Sequence, residues 1–277
     1  MQAELHLDFA AGVEATSFRC YRQDPPWKVV RGFALETGEC LVHLNNVSGG
    51  IFGGDSLKLA VRLHPEAQAQ ITTTGATRVY RPRPQASEAS LISEFHLGRD
   101  ALLEYVPDAL IPFRQARVLQ RTSFSLDPGA TLFCWDTIAP GRAASGELFQ
   151  YECLKIVSEI QALGVPILTD RLLIEPKRWP VRAAARFGEA NYLVTFVAMR
   201  AGMSAKEVSA LEERLLAVIS SAETGSFWGV SSLPAHGVLV RGMVSESVRI
   251  PATLHALWSA AKQQICDRAA VAPRKTY

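Results

Sequence analysis

From Ser56 to Leu63 the sequence reads SLKLAVRL, with Leu57, Leu59, Val61 and Leu63 at every second position. An apolar period of two sets these side chains on one face of a β-strand. The alternation returns at Leu91, Ser93, Phe95 and Leu97, and again around Phe124 and Leu126, each time running into a short polar turn. After each turn the chain restarts in a similar way: PEAQAQI (Pro65 to Ile71), GRDALLEYV (Gly98 to Val106) and DPGATLFCW (Asp127 to Trp135). The restart alanines, Ala67, Ala101 and Ala130, lie roughly 30 residues apart, a spacing in the range of stacked supersecondary units. Ordinary hairpins with Gly and Pro turns would give similar copies, so two readings stay open. Both predict a layered, mainly β chain.

Towards the N-terminus, NNVSGGIFGGD (Asn45 to Asp55) packs four glycines into six residues between strand patterns. Glycine is needed where φ is positive or another backbone comes close. GRAASGE (Gly141 to Glu147) is a second loop of small residues. Towards the C-terminus, the Pro- and Arg-rich EPKRWPVRAA (Glu175 to Ala184) reads as a junction between a body, residues 1–184, and a smaller α+β portion, residues 185–277, packed on it as one structural unit. There YLVTFVAM (Tyr192 to Met199) reads as a buried strand, and Ser204 to Ser220 as a helix with Val208, Leu211, Leu215 and Val218 at helical spacing. Ser204 and Glu207 form a capping-box pattern. Two short strands, Trp228 to Leu233 and Gly237 to Val244, precede a second helix from about Pro251 to Asp267, with proline suited to its first turn.

The chain has 277 residues, 48% apolar and 20% charged, which is ordinary globular composition. Its formal charge of +2 gives no electrostatic reason to expect nucleic acid. No apolar stretch approaches the ~20 residues that span a bilayer, and the N-terminus lacks a signal pattern. Cys20, Cys40, Cys134, Cys153 and Cys266 are scattered, with no CxxC pair, which fits a reducing cytosol.

Catalytic and metal motifs are absent from the pattern. The glycine-rich loop lacks the Lys-Ser/Thr of a phosphate loop and leads into a strand. The six histidines, at 6, 43, 64, 96, 236 and 255, show no ligand spacing, so no preformed high-affinity metal site is predicted. Glu104 and Asp108 flank Pro107 as a conceivable acid/base pair, the basis of an alternative reading as a carbohydrate-active enzyme. A further alternative is a binding scaffold of unrelated purpose. The unusual feature is acidic residues among apolar ones: Glu104 in ALLEYVP, Asp136 in LFCWDTI and Asp170 in VPILTDRLLI. A carboxylate inside a strand core is costly unless paired or hydrated. Such residues are either buried ion pairs or the lining of a polar channel.

The ordered blocks GGIFGGD (Gly49 to Asp55), ITTTGATRVYRP (Ile71 to Pro82), ALLEYVPDALIPF (Ala101 to Phe113), FCWDTIAPGRAASGE (Phe133 to Glu147) and TDRLLIEP (Thr169 to Pro176) resemble the signature of the urease accessory protein D family, called H in some organisms. The resemblance is strong over about residues 45 to 176. Arg78 stands where the family usually has lysine, and the final APRKTY lacks the tryptophan that commonly follows PR. The resemblance implies a right-handed helical, solenoid-like β-structure with a few helices, and a non-enzyme that works with apo-urease, with the accessory proteins F and G, and indirectly with E; the cysteines and the lack of a signal pattern set the expected place in the cytoplasm. It implies no tightly bound cofactor: Ni²⁺ is in transit, and GTP is bound by a partner.

Within the matched blocks Asp55, Thr77, Asp136 and Asp170 are the polar side chains expected to face a hydrated nickel passage. Oxygen ligands and water hold a divalent ion weakly enough to let it move on, where a thiolate cage would trap it. Gly50, Gly53 and Gly54 are expected to shape the loop. Arg78, Tyr80 and Arg81 suit an interface, and Arg142 with Glu147 either fix the GRAASGE loop or meet a partner.

Overall fold

A computed structural model describes residues 1–83, 85–220 and 226–273. The departure noted after PR in the terminal APRKTY falls at residues 275–277, outside the described residues. The chain forms β1 (Gln2–Ala10), β2 (Ser17–Gln23), β3 (Trp27–Lys28), β4 (Gly32–Ala34), β5 (Cys40–Asn46), β6 (Ser56–Leu63), β7 (Gln68–Thr73), β8 (Thr77–Val79) and β9 (Ala89–Leu97). Then come β10 (Leu102–Tyr105), β11 (Leu110–Pro112), β12 (Arg117–Leu126), β13 (Thr131–Ile138), β14 (Cys153–Ala162), β15 (Val165–Ile174) and β16 (Tyr192–Arg200). Helix α1 (Ala205–Ser220), β17 (Ser226–Ser232), β18 (Gly237–Val244) and helix α2 (Ile250–Cys266) follow. The mainly β class with two helices is therefore present.

Among the described residues the strands make two sheets. One has seven strands in the order β15-β14-β12-β9-β6-β1-β2. The other has eleven, with the path β17-β18-β16-β13-β10-β7-β5-β3. From β6 to β14 the chain alternates between them, so β6, β9, β12 and β14 pair in parallel in one sheet and β5, β7, β10 and β13 in the other. The two sheets differ in what covers them. The seven-stranded sheet packs inward on one face only, and β6 buries Leu57, Leu59, Val61 and Leu63 while its alternate residues stay more exposed. In the eleven-stranded sheet the central strands β13 and β16 are covered on both faces and read as near-continuous apolar runs.

The restarts fall into one column. Glu66, Asp100 and Gly129 each adopt positive φ immediately before Ala67, Ala101 and Ala130, all fully buried. Each alanine N–H donates to the carbonyl three residues back, and the turns bond to one another through Glu66 N–H to Arg99 O and Asp100 N–H to Pro128 O. Position 129 needs glycine: φ is 76°, and a Cβ there would lie 1.8 Å from Asp100 Oδ1.

Apolar side chains fill the space between the sheets in two groups. One centres on Leu7, Val61, Phe95, Ile71 and Leu132, and the other on Leu57, Val118, Leu154, Leu110 and Ile138. A third group, including Phe133, Phe196, Leu211, Leu215, Leu257 and Trp258, sits between the eleven-stranded sheet and the helices. Helix α1 starts with the expected box: Ser204 N–H and Oγ–H donate to Glu207, whose own N–H donates to Ser204 Oγ at 3.3 Å. Its buried stripe is Val208, Leu211, Leu215 and Ile219, with Val218 only partly buried. Helix α2 begins one residue before Pro251. Glu175 to Ala184 is the first part of the connection from β15 in one sheet to β16 in the other. There β16 pairs with β13, so the eleven-stranded sheet continues across residue 184.

Candidate functional site

Between the two apolar groups the inward-facing positions turn polar. In β12 the inward series is Val118, Gln120, Thr122, Phe124 and Leu126, so Gln120 and Thr122 interrupt it. Strand register carries that interruption sideways. Ser93, Thr122, Ser158 and Asp170 lie side by side on β9, β12, β14 and β15. Opposite them Asp136, Thr195 and Arg241 lie side by side on β13, β16 and β18. A polar seam thus runs across the strands, with apolar packing above and below.

At one end the seam opens into a cavity of about 260 Å³ lined by residues including Asn46, Gly50, Thr73, Thr77, Asp108 and Asp136. Exposed Gly49, Thr74 and Arg78 stand at its rim. A smaller space of about 20 Å³, with room for a single water molecule, lies beside it and is walled by Ser158, Asp170 and Thr195. The two spaces share Tyr105, Thr122 and Asp136.

Asp136 is the pivot of this arrangement. It lines both spaces, and Gln120 Nε2 donates to its Oδ1 across the sheets at 3.1 Å. Burial pushes its carboxyl up to about 6; the Gln120 hydrogen bond opposes that rise, and the charge of Asp170 adds to it. At pH 7 the group is mostly ionised, a negative charge in a low-dielectric slot. Cys134 is a wall of the inner space, and burial together with Asp136 holds its thiol well above the usual range. It is therefore not a thiolate at neutral pH. At the far end the Asp170 carboxylate accepts from Arg241 Nη2, the partner that Arg171 could not supply because its side chain points to the opposite face.

Thr77 and Asp136 thus line the cavity, and Asp136 and Asp170 line the smaller space beside it. Asp55 is not among the lining residues of either: its carboxylate accepts from the Phe52 N–H at 2.9 Å and holds the glycine turn. Gly50 lies against Tyr80, where a Cβ would be 2.3 Å from the ring, and Tyr80 Oη donates to Gly49 O. Gly53 is pressed on Pro82 and Ser87 O, and Gly54 has φ of 85°. Arg81 is exposed just beyond. Buried Glu147 accepts from Arg142 Nε and the Arg114 N–H, so this pair ties down the GRAASGE loop. Glu104 and Asp108 are engaged separately, Glu104 with Trp258 and Lys262 on α2 and Asp108 with Thr73. Among the described residues no group of three or more His, Cys, Asp or Glu is placed to hold a metal ion. No helix among them is long and apolar enough to cross a membrane.

Sequence reasoning missed Gln120, Ser93, Ser158, Thr195 and Arg241. The signal was available in their alternation: each is polar at a position whose neighbours two residues away are mostly apolar and inward.

A family model described as UreD urease accessory protein matches residues 1–277. The urease accessory protein UreD of Herpetosiphon aurantiacus is 38% identical over 279 residues, covering 100% of this chain and 97% of the relative. The urease accessory protein UreD of Pseudomonas putida is 30% identical, covering 98% and 92%. The urease accessory protein UreD 2 of Brucella ovis is 28% identical, covering 95% and 87%.

Proposed function

Because the chain belongs to the UreD urease accessory protein family, with a role in urease maturation, we propose that it is a non-catalytic scaffold that docks on apo-urease and conducts nickel towards its active site. On this reading it works in the cytoplasm and recruits the accessory protein F and, through it, the GTP-binding carrier G, with E acting indirectly. The two alternating sheets are read as successive walls of a right-handed helical, solenoid-like β-structure.

The observation that carries the proposal is the polar seam between the sheets, running from the cavity at Thr77 through Asp136 to the Asp170–Arg241 pair. A hydrated divalent cation moving there would meet hydroxyl, amide and carboxylate oxygens, which bind it weakly and reversibly. Asp136 supplies the attraction, while the protonated Cys134 does not trap the ion. Arg241 opposes a cation at the inner end, so passage there requires the Asp170–Arg241 pair to part.

The test is urease activity and nickel content after co-expression of a urease operon with the chain, without it, and with Asp136→Asn. Nickel-poor urease in the second and third cases, with the variant still co-purifying with urease, supports the passage. Full nickel loading with Asp136→Asn, alone and combined with Asp170→Asn, removes it.

A further inference from the structure

Beside the cavity rim lies a second, open groove of about 700 Å³ that the seam does not use. Its walls come from five separate stretches, one of them at Glu152. Phe52 belongs to the glycine loop, Arg81, Pro82 and Arg83 follow β8, and Gln115 and Arg117 lead into β12. Lys177 follows β15. Four cations thus face one carboxylate, Glu152.

Three of the four charges are not spent internally. Among the described residues Arg81, Arg83 and Lys177 form no ion pair. Arg117 Nη2 donates to Ala86 O, but its buried Nε has no hydrogen-bond partner and stands 3.7 Å from Glu152. For a chain whose formal charge is only +2, this is a local concentration of uncompensated positive charge.

The groove is also part of a larger surface. Phe52 is 44% exposed and stacks on Tyr80 at 4.8 Å, and Tyr80 reaches the glycine loop at the cavity rim. Past Lys177, Arg178 and Arg186 lie over the exposed ring of Trp179, each 5.4 Å from its centre. Arginine and aromatic side chains together are the composition of protein-binding hot spots. A small anion would need one convergent cluster, whereas cations spread over separate elements beside apolar walls match an extended polypeptide.

We propose that this groove is the docking site for an acidic segment of a protein partner, carboxylates set against Arg81, Arg83, Arg117 and Lys177 and an apolar side chain against Phe52 and Pro82. This rests on the scaffold reading and sharpens it, because an occupant here would sit next to the cavity rim and join docking to the entry of cargo.

The test uses the full-length chain and a labelled oligoglutamate peptide bearing one tryptophan, followed by fluorescence anisotropy at low and at physiological salt. Binding should be saturable, should weaken with salt, and should fall about tenfold or more in Arg81→Glu/Arg83→Glu/Lys177→Glu. These three side chains are exposed, so unfolding temperature should change little; if the triple variant does not fold, Arg83→Gln/Lys177→Gln replaces it, with a smaller loss expected. Unchanged affinity in the folded variant overturns the proposal. So does tighter binding of single-stranded DNA or inorganic phosphate that displaces the peptide, which would assign the groove to a phosphate-bearing ligand. In operon co-expression the charge-reversed chain should also lower urease activation. If omitting the chain altogether leaves activation intact, the maturation reading fails, while the peptide assay still judges the groove.

Discussion

Gln120 on β12 donates to Asp136 on β13 across the gap between the two sheets, at 3.1 Å, and does not fully offset the burial of that carboxylate. The carboxyl titrates at about 6 in the folded chain, against 3.8 without burial. Folding therefore takes up a proton between those values, stability falls as pH rises through them, and above pH 6 the ionised group costs on the order of 3 kcal/mol. Asp136→Asn should raise the melting temperature by several degrees at pH 7.5 and by little at pH 4, while urease activation drops. A variant that melts no higher than the parent at pH 7.5 would mean the charge is well solvated after all.

At the other end of the seam, Asp170 and Arg241 hold one another from opposite sheets, both partly exposed. Partial exposure screens the pair, so its net worth is about 1 kcal/mol. Arg241→Met should lose about that much, and Asp170→Asn/Arg241→Met should recover part of it, measured as a double-mutant cycle in urea. If the pair restrains passage of a cation, the double variant should also accelerate nickel loading of urease in a time course. Additive losses and an unchanged time course would leave Asp170 and Arg241 as independent surface groups.

Much of this was legible from spacing alone. The alternation at Leu57 to Leu63 and the alanines at 67, 101 and 130 fixed the strand faces and the repeated turns, because a period of two and a tight turn leave local marks. Asp136 and Asp170 are marked in the sequence as carboxylates among apolar residues, whereas Thr77, in the polar stretch TTTGATR, is singled out only by the family resemblance. Asp55 carries no such mark, since in a glycine turn a carboxylate serves the backbone equally well. Lateral register was not legible. That Ser158 stands beside Asp170, or that Arg241 faces it, depends on how strands distant in sequence line up, and no local rule records that.

Gly53 fixes the loop that carries both the cavity rim and the basic groove. A Cβ there would stand 2.3 Å from Pro82 Cβ and 2.8 Å from Ser87 O, so Gly53→Ala must push residues 81–83 outward. Overpacking of this kind costs about 1–3 kcal/mol. Thermal unfolding should show that loss, together with weaker oligoglutamate binding. Gly75→Ala, which meets nothing within 4 Å, is the matched control. Equal behaviour of the two variants would show that the loop shifts without strain.

Lys262 sits in the buried stripe of α2 with Nζ 2.7 Å from Glu104 and 2.9 Å from Glu39, all three side chains fully enclosed. Trp258 Nε1 and Gln70 Nε2 also donate to Glu104, and Arg268 lies 3.7 Å from Glu39. Burial raises the Glu104 carboxyl above its usual range and Lys262 opposes that rise, so the ammonium is what keeps the charge tolerable. Lys262→Met preserves the stem but strands the carboxylates, an expected loss of about 3–5 kcal/mol in urea unfolding. A carboxyl whose folded value is raised is tolerated below its unfolded value and costs stability as pH rises, so the loss should shrink towards pH 4. Glu39→Gln/Glu104→Gln/Lys262→Met should restore most of the stability, because neutral amides need no counterion. A single variant as stable at pH 8 as at pH 4 would show that Arg268 and the neutral donors hold both carboxylates without Lys262, and that α2 is fastened to the sheet by its apolar face alone.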